Sequence, residues 1–292
     1  MRSWAKTKGP VDDLRGVLLI ARLTWLETRR RKIALAALIC GLLFLTVFAS
    51  AIYFGFRHVA EQGGVANMVE MRVASTILTV AGLYVVNFLV TAVAILLPID
   101  SLSGEIGSGV IQTLASKPVD RAAIVVGKWL AYLAMTAAYL ALLGGGVVLS
   151  MRLFADYQAP AVLMPMALML LSAAVMLSIT IAGGVRLSTI TNGIVAFGFY
   201  GVAFIAGWME QILGMFGNAT ARYVGTIVSL LSPSDAMWRR AAYEMQPLAT
   251  AALQNGPFGV VSVPSAAMIV WAMAFVVLVL AFAAWQFRRR PL

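Results

Sequence analysis

The sequence predicts an all-α integral membrane protein with six transmembrane helices, and three observations carry that prediction. Of its 292 residues, 61% are hydrophobic and only 12% are charged, against about a quarter charged in soluble domains. Apolar runs of about 20 residues recur, the length that crosses a bilayer as a helix. The charges that remain fall in clumps between these runs. Water-soluble folding does not follow from such a composition.

The elements read in order as follows. Val11–Arg31 predicts an amphipathic helix lying on the membrane. Asp12 and Asp13 suit its start, and Leu14, Val17, Leu18, Ala21 and Trp25 recur at helical spacing against Arg15, Arg22 and Arg29. The six spans are Ile33–Phe54, Ala74–Ile99, Ala122–Ser150, Ala161–Gly184, Ile190–Met209 and Ser265–Phe287. The first could be taken for a signal peptide, because Ala49–Ala51 reads "ASA". Its apolar stretch begins late and is too long, so it is expected to stay as a span. Glu210–Pro264 forms a long loop between spans five and six. Within it, Ser232 as N-cap, Pro233 in the first turn and Asp235 three residues after the cap predict a helix to about Met245. The apolar segment before it, "ATARYVGTIVSLL", is too short to span. It either lies in the outer interface or packs over the mouth of the bundle. Gly256, Pro257, Gly259 and Pro264 then break the chain before span six.

Lysine and arginine set the orientation. With both termini in the cytoplasm, 16 of the 22 basic residues fall inside, and the 12 acidic residues divide equally. The net charge of +10 therefore lies wholly on the inner face, which is the positive-inside pattern and needs no nucleic acid. The expected location is the cell (inner, cytoplasmic) membrane, multi-pass, with both ends in the cytoplasm.

Several functions lose support. The chain has one cysteine, Cys40, and one histidine, His58. No metal or haem ligand set follows, and Cys40 reads as a small buried hydrophobe. No Asp, Glu or His falls near the middle of a span, which disfavours a carrier driven by protons or sodium. No Gly-x-Ser-x-Gly elbow occurs. Thr76, Tyr84, Asn87 and Thr91 share one arc of span two, where they either line a substrate path or bond to neighbouring helices. Span five carries Gly193, Ala196, Gly198, Gly201, Ala203, Ala206 and Gly207, a pattern for close packing within the bundle or between two copies. Gly144–Gly146 and Gly183–Gly184 mark kinks or close packing.

The insert "SLSGEIGSGVIQTLASKPVDRAAIVVGK", Ser101–Lys128, stands apart. It is longer than a plain connection between helices needs to be. Asp100 and Ser103 are candidate caps, Ile106, Val110, Ile111 and Leu114 give one apolar face, and Pro118 ends it. This predicts a short amphipathic helix over about Leu102–Ala115, between spans two and three. Asp120 caps span three. Arg121 and Lys128 stand two turns apart on one face of it, and Trp129 is placed like an interfacial aromatic. Such a helix can move both spans when a cytoplasmic partner pushes it.

"SGEIGSGVIQTLASKPVDRAAIVVGKWLA" resembles the signature segment of type 2 ATP-binding cassette exporter permeases, through Glu105, Gly109, Leu114, Ser116, Lys117, Pro118, Val119, Arg121, Gly127 and Lys128. The entry "IARLTWLETRRRK", the six spans and an outer loop with "LSPSDAMWR" match the layout of that family. Within it the chain most resembles the subfamily of the nitrous-oxide-reductase copper-maturation permease. The resemblance implies that the insert is a coupling helix seated in a separate ATP-binding subunit. It implies two copies of that subunit, which bind ATP and Mg, and a second permease, identical or related. Glu105, Gly109, Leu114, Ser116, Lys117, Pro118, Arg121 and Lys128 become the coupling residues. Ile106, Gly107 and Val110 depart from the more polar residues of many relatives.

The chain itself carries no P-loop. Trp129 follows Lys128 where Ser or Thr is required, and no glycine stands five residues before Gly127. It is therefore expected not to be an enzyme and to bind no cofactor. The sequence favours an exporter permease over an ATP-independent carrier or a membrane scaffold. A further extracytoplasmic protein on the outer loop is compatible with it. The substrate is not specified.

Overall fold

A computed structural model describes residues 10–61, 68–104, 120–215, 219–246 and 263–290. Among them are nine helices and no strand: α1 (Pro10–Thr28), α2 (Lys32–Glu61), α3 (Met68–Leu96), α4 (Arg121–Phe154), α5 (Leu163–Gly184), α6 (Thr189–Met215), α7 (Ala219–Leu231), α8 (Ser234–Glu244) and α9 (Ala266–Arg289). Six of these, α2 to α6 and α9, are long and apolar enough to cross a membrane. They match the six expected spans to within a few residues at most ends. Of the proposed coupling helix over Leu102–Ala115 only residues 102–104 are described, and Gly256, Pro257 and Gly259 of the expected outer loop lie outside the described residues. So do the side chains of Asp12 and Asp13.

The order of burial follows from the side chains. α5 is the central helix and packs on α3, α4, α6, α8 and α9. Met169, Ala173, Val175, Met176 and Leu177 on it are fully buried. Its Ser172, Ser178 and Thr180 are equally buried, each bonded to a backbone carbonyl, so this polarity costs little. α9 packs through the single stripe Ala272, Val276, Ala283 and Phe287. α2 sits at the rim and leans on α4, where Gly41 meets Tyr139 and Gly146 meets Leu45. Leu43, Val202 and Val277 are each at least 60% exposed. A surface of this kind is stable in lipid and not in water.

The structure corrects four expectations. Cys40 is exposed rather than buried, because α2 buries only the face it turns to α4. α1 packs on α4 through Ile20, Thr24 and Thr28, while Leu14, Leu18, Leu19, Leu23 and Leu26 stand 49–66% exposed. Gly127 makes this crossing close: a Cβ there would touch the Val17 carbonyl and Ile20. Ser232 caps nothing. Pro233 occupies the N-cap of α8, and Asp235 pairs with Arg239 instead of closing a capping box.

The fourth correction is the largest. α8 forms where a helix is expected, but α7, instead of lying in an interface or over the mouth of the bundle, makes with α8 a hairpin that enters the bundle. Its tip, Ser232, lies against Met176 (Oγ–Sδ 4.0 Å), and Ser172 donates to the Ser234 carbonyl at 2.8 Å. Met176 stands about 20 Å along α5 from its N-terminal end, at 1.5 Å per residue. Met245, just past α8, is back beside Val162 and Pro165 at that end. Such a re-entrant pair is tolerated where its backbone is covered by protein. Here Met237 and Ala241 are fully buried.

Candidate functional site

The insert leaves α3 through a tight turn. Ser101 N bonds to the Pro98 carbonyl at 2.9 Å and Gly104 N to the Asp100 carbonyl at 3.0 Å. This leading root is then pinned from three sides. Lys128 of α4 donates to the Ser101 carbonyl at 2.9 Å and to Ser101 Oγ at 3.1 Å, with the lysine only 4% exposed. Thr189 at the start of α6 donates to Asp100 Oδ1 at 2.8 Å and meets Ser103 Oγ at 3.0 Å. Asn192, one turn on, donates to the Ile99 carbonyl at 3.3 Å and to the Thr180 carbonyl of α5 at 3.0 Å. Asn192 reaches both because Gly183 and Gly184 lack side chains; a Cβ on Gly183 would collide with its carboxamide.

The trailing root is pinned as firmly. Asp120 is extended (φ −65°, ψ 136°) and accepts from Ala122 N at 3.3 Å, capping α4 as expected. Its other oxygen takes a 2.6 Å bond from Arg288 at the end of α9. Arg121 donates to the carbonyl of Arg290 at 2.8 Å and to that of Arg288 at 3.4 Å. Arg290 in turn donates to the carbonyl of Val185, in the α5–α6 turn.

The leading root is therefore bonded to the first turn of α6, through Thr189 and Asn192, and the trailing root is linked through Arg290 to Val185 just before it. Hydrogen bonds tie residues 99–104 and 120–121, which flank positions 105–119, to α4, α6 and α9 and, through Asn192, to α5. A displacement of this segment reaches five spans without passing through a flexible joint of the described backbone. α1 joins the same end through Gly127.

Of the expected coupling residues, Glu105, Gly109, Leu114, Ser116, Lys117 and Pro118 lie outside the described residues. Arg121 is half-buried on the C-terminal run, and Lys128 is enclosed on Ser101. Gly127 and Lys128 are neighbours with different tasks: one seats α1, the other seats the insert. Trp129 is not at an interface alone, since its Nε1 donates to Ser178 of α5 at 3.0 Å. The sequence reading missed Thr189, Asn192, Arg288 and Arg290 as parts of this site. Asn192, an amide in a span of small residues, carried a signal; the arginines, 168 residues from Asp120, carried none beyond topology.

The polar arc of α3 is placed differently. Asn87 is 5% exposed and Thr91 fully buried, so within one chain both face other helices. Asn87 Oδ1 has no hydrogen-bond partner among the described residues, nor has Thr136 Oγ1 on the adjacent α4. Tyr84 is half-buried among Phe204, Trp208 and Trp238, and Trp208 Nε1 donates to its hydroxyl at 2.8 Å. In α6, Gly193 packs on Ile99 and Gly207 on Asp235, whereas Gly198 and Gly201 face open space.

A protein-family model described as ABC-2 family transporter protein matches residues 18–292, which includes the insert, all six spans and the hairpin. No curated protein matches the chain.

Proposed function

The chain belongs to the ABC-2 family of transporter proteins, and from that premise we propose that it is the membrane-spanning permease of an ATP-driven exporter. As a member of that family it is a multi-pass membrane transport subunit that pairs with an ATP-binding subunit, not itself an enzyme. The further steps are our reading. Two copies of the ATP-binding subunit bind ATP and Mg, and each grips the insert of one permease through Glu105, Gly109, Leu114, Ser116, Lys117 and Pro118. Two permease copies enclose the path. The insert and both termini face the cytoplasm of the cell membrane, and the hairpin end faces outward, where a further protein has room to dock. Within the family we place the chain nearest the nitrous-oxide-reductase copper-maturation subfamily, without carrying its substrate over.

One observation carries this reading: the leading root of the insert is bonded to the first turn of α6, and the trailing root is linked through Arg290 to Val185 just before it. ATP-driven closure of the partner then moves the segment as a lever. Arg121 and Lys128 serve by transmitting that movement, through the C-terminal run and through Ser101. Tyr84, Asn87 and Thr91 touch substrate when the bundle opens. Asn87, buried with an oxygen that no described group satisfies, supports this, because an unmet acceptor favours a state in which it finds a donor.

The test is co-expression with the ATP-binding subunit. Glu105→Ala and Leu114→Asp are expected to lose copurification and vanadate-sensitive ATPase stimulation. Unchanged association and turnover in both variants removes the insert from the mechanism.

A further inference from the structure

Beside the α1–α2 corner, an apolar groove of about 340 Å³ opens between α2, α3 and α4. It exists because the side chains there are small. Ala34 and Ala37 of α2 face Ala138 of α4, and Val93 and Leu97 of α3 close the back. Tyr139 spans the floor, donating to the Ala37 carbonyl at 2.8 Å. α2 is held to α4 one turn deeper, at Gly41, so its first turns stand off from α3.

The mouth of the groove is basic. Trp25 and Arg29 line it. Arg30 and Lys32, which follow Arg29 in the chain, are exposed, while Arg31 is held by Glu27 at 2.6 Å. Leu142 marks the deep limit. From Met135 to Leu142 the groove follows α4 for about 10 Å, room for part of one acyl chain. An apolar slot ending in several cations, with a tryptophan at the junction, is the complement of an amphiphile with an anionic head.

We propose that this groove binds an anionic phospholipid of the surrounding bilayer, its acyl chain against Ala34, Ala37 and Ala138 and its phosphate on Arg29, Arg30 and Lys32. The lipid fills the gap behind the first turns of α2 and fixes the α1–α2 corner on the bundle. α1 also packs on α4 beside Lys128, so the bound lipid stiffens the support of the insert. The binding itself rests only on the chain being a membrane protein and stands apart from ATP-driven coupling.

The experiment is native mass spectrometry of the full chain, taken into detergent from vesicles of phosphatidylethanolamine, phosphatidylglycerol and phosphatidylcholine. The unmodified chain is expected to retain one phosphatidylglycerol in clear preference to phosphatidylcholine. Arg29→Ala, at an exposed position, is expected to cut that preference about five-fold, from a contribution typical of one basic residue at an anionic surface. Ala138→Phe fills the slot and is expected to lose retention of either lipid. Arg152→Ala, at the opposite end, should leave retention unchanged. Equal retention of phosphatidylcholine, retention indifferent to both Arg29→Ala and Ala138→Phe, or a lipid-free dimer that covers the groove would each overturn the proposal.

Discussion

Arg239 of the hairpin reaches Glu210 of α6 across 2.8 Å, with the two side chains 3% and 5% exposed. The same guanidinium holds Asp235 through Nε at 2.9 Å and Ser229 through Nη2 at 3.1 Å. One cation thus fastens three helices, α6, α7 and α8. Two glycines make the space: a Cβ on Gly207 would collide with the Asp235 carboxylate, and one on Gly225 with that of Glu210. A buried pair of this sort is weak support for stability when compared with apolar packing, yet costly to break from one side.

Arg239→Met should therefore release the hairpin, because it leaves two carboxylates buried without their cation. The expected loss is about 3–5 kcal/mol. It reads out as a lower melting temperature in detergent and as new thiol labelling of Ser232→Cys, with Cys40 replaced by Ala beforehand. Asp235→Asn should be much milder, since it removes one of the two buried anions and leaves Arg239 paired with Glu210. Equal damage from the two variants would contradict this account.

The α6 glycines should divide into two groups. Gly207→Ala is expected to lower the melting temperature, as is Gly225→Ala on α7. Gly198→Ala and Gly201→Ala meet open space and should be neutral or stabilising by up to about 1 kcal/mol, the intrinsic helix preference for alanine. If Gly198→Ala or Gly201→Ala instead destroys transport while the single chain keeps its stability, those residues meet a second copy.

The roots of the insert should separate coupling from docking. Asp120 and Arg288 are 36% and 57% exposed, so their pair is worth at most about 1 kcal/mol, and with the lost α4 cap Asp120→Ala should cost about 1–3 kcal/mol of stability. The ATP-binding subunit should still copurify, but its ATPase should no longer respond to substrate. Lys128→Met removes two charge-assisted hydrogen bonds to Ser101 and should act likewise, at a cost of about 1.5–3 kcal/mol per bond. Loss of subunit association in either variant would mean that these residues form the docking surface itself.

Sidedness is open to direct measurement. Cysteines placed at Arg15 and Arg186 should be labelled from the cytoplasmic side, and one at Arg152 from the opposite side, in whole cells and inverted vesicles. Labelling of Arg186→Cys from outside would put the insert beyond the reach of any ATP-binding partner, since Thr189 and Asp100 share that end of the bundle.

The spans were legible because their signal is local: about 20 apolar residues with basic flanks need no knowledge of neighbours. The break between the second and third spans was legible for a related reason, as a polar, glycine-spaced interruption of the apolar pattern. Asp120 could be read as a cap from its position alone. The hairpin was not legible. α7 is too short to span and α8 too polar, and only the cover offered by α5 and α6 lets them enter the bundle. Glu210 read as a loop residue until Arg239, 29 positions later, was placed against it.

What the sequence determined alone, then, is the number of crossings and that a polar insert, the handle, stands between the second and third. What only the tertiary structure decided is where the handle is fastened. Arg288 and Arg290 looked like charges that anchor a terminus, and Asn192 like a stray amide. Each becomes a structural bolt only when helices distant in the chain bring a carboxylate or an orphan carbonyl within 3.5 Å. Hydropathy acts over one helix and is written in consecutive residues; a hydrogen bond needs two partners in space, and the chain order does not record them.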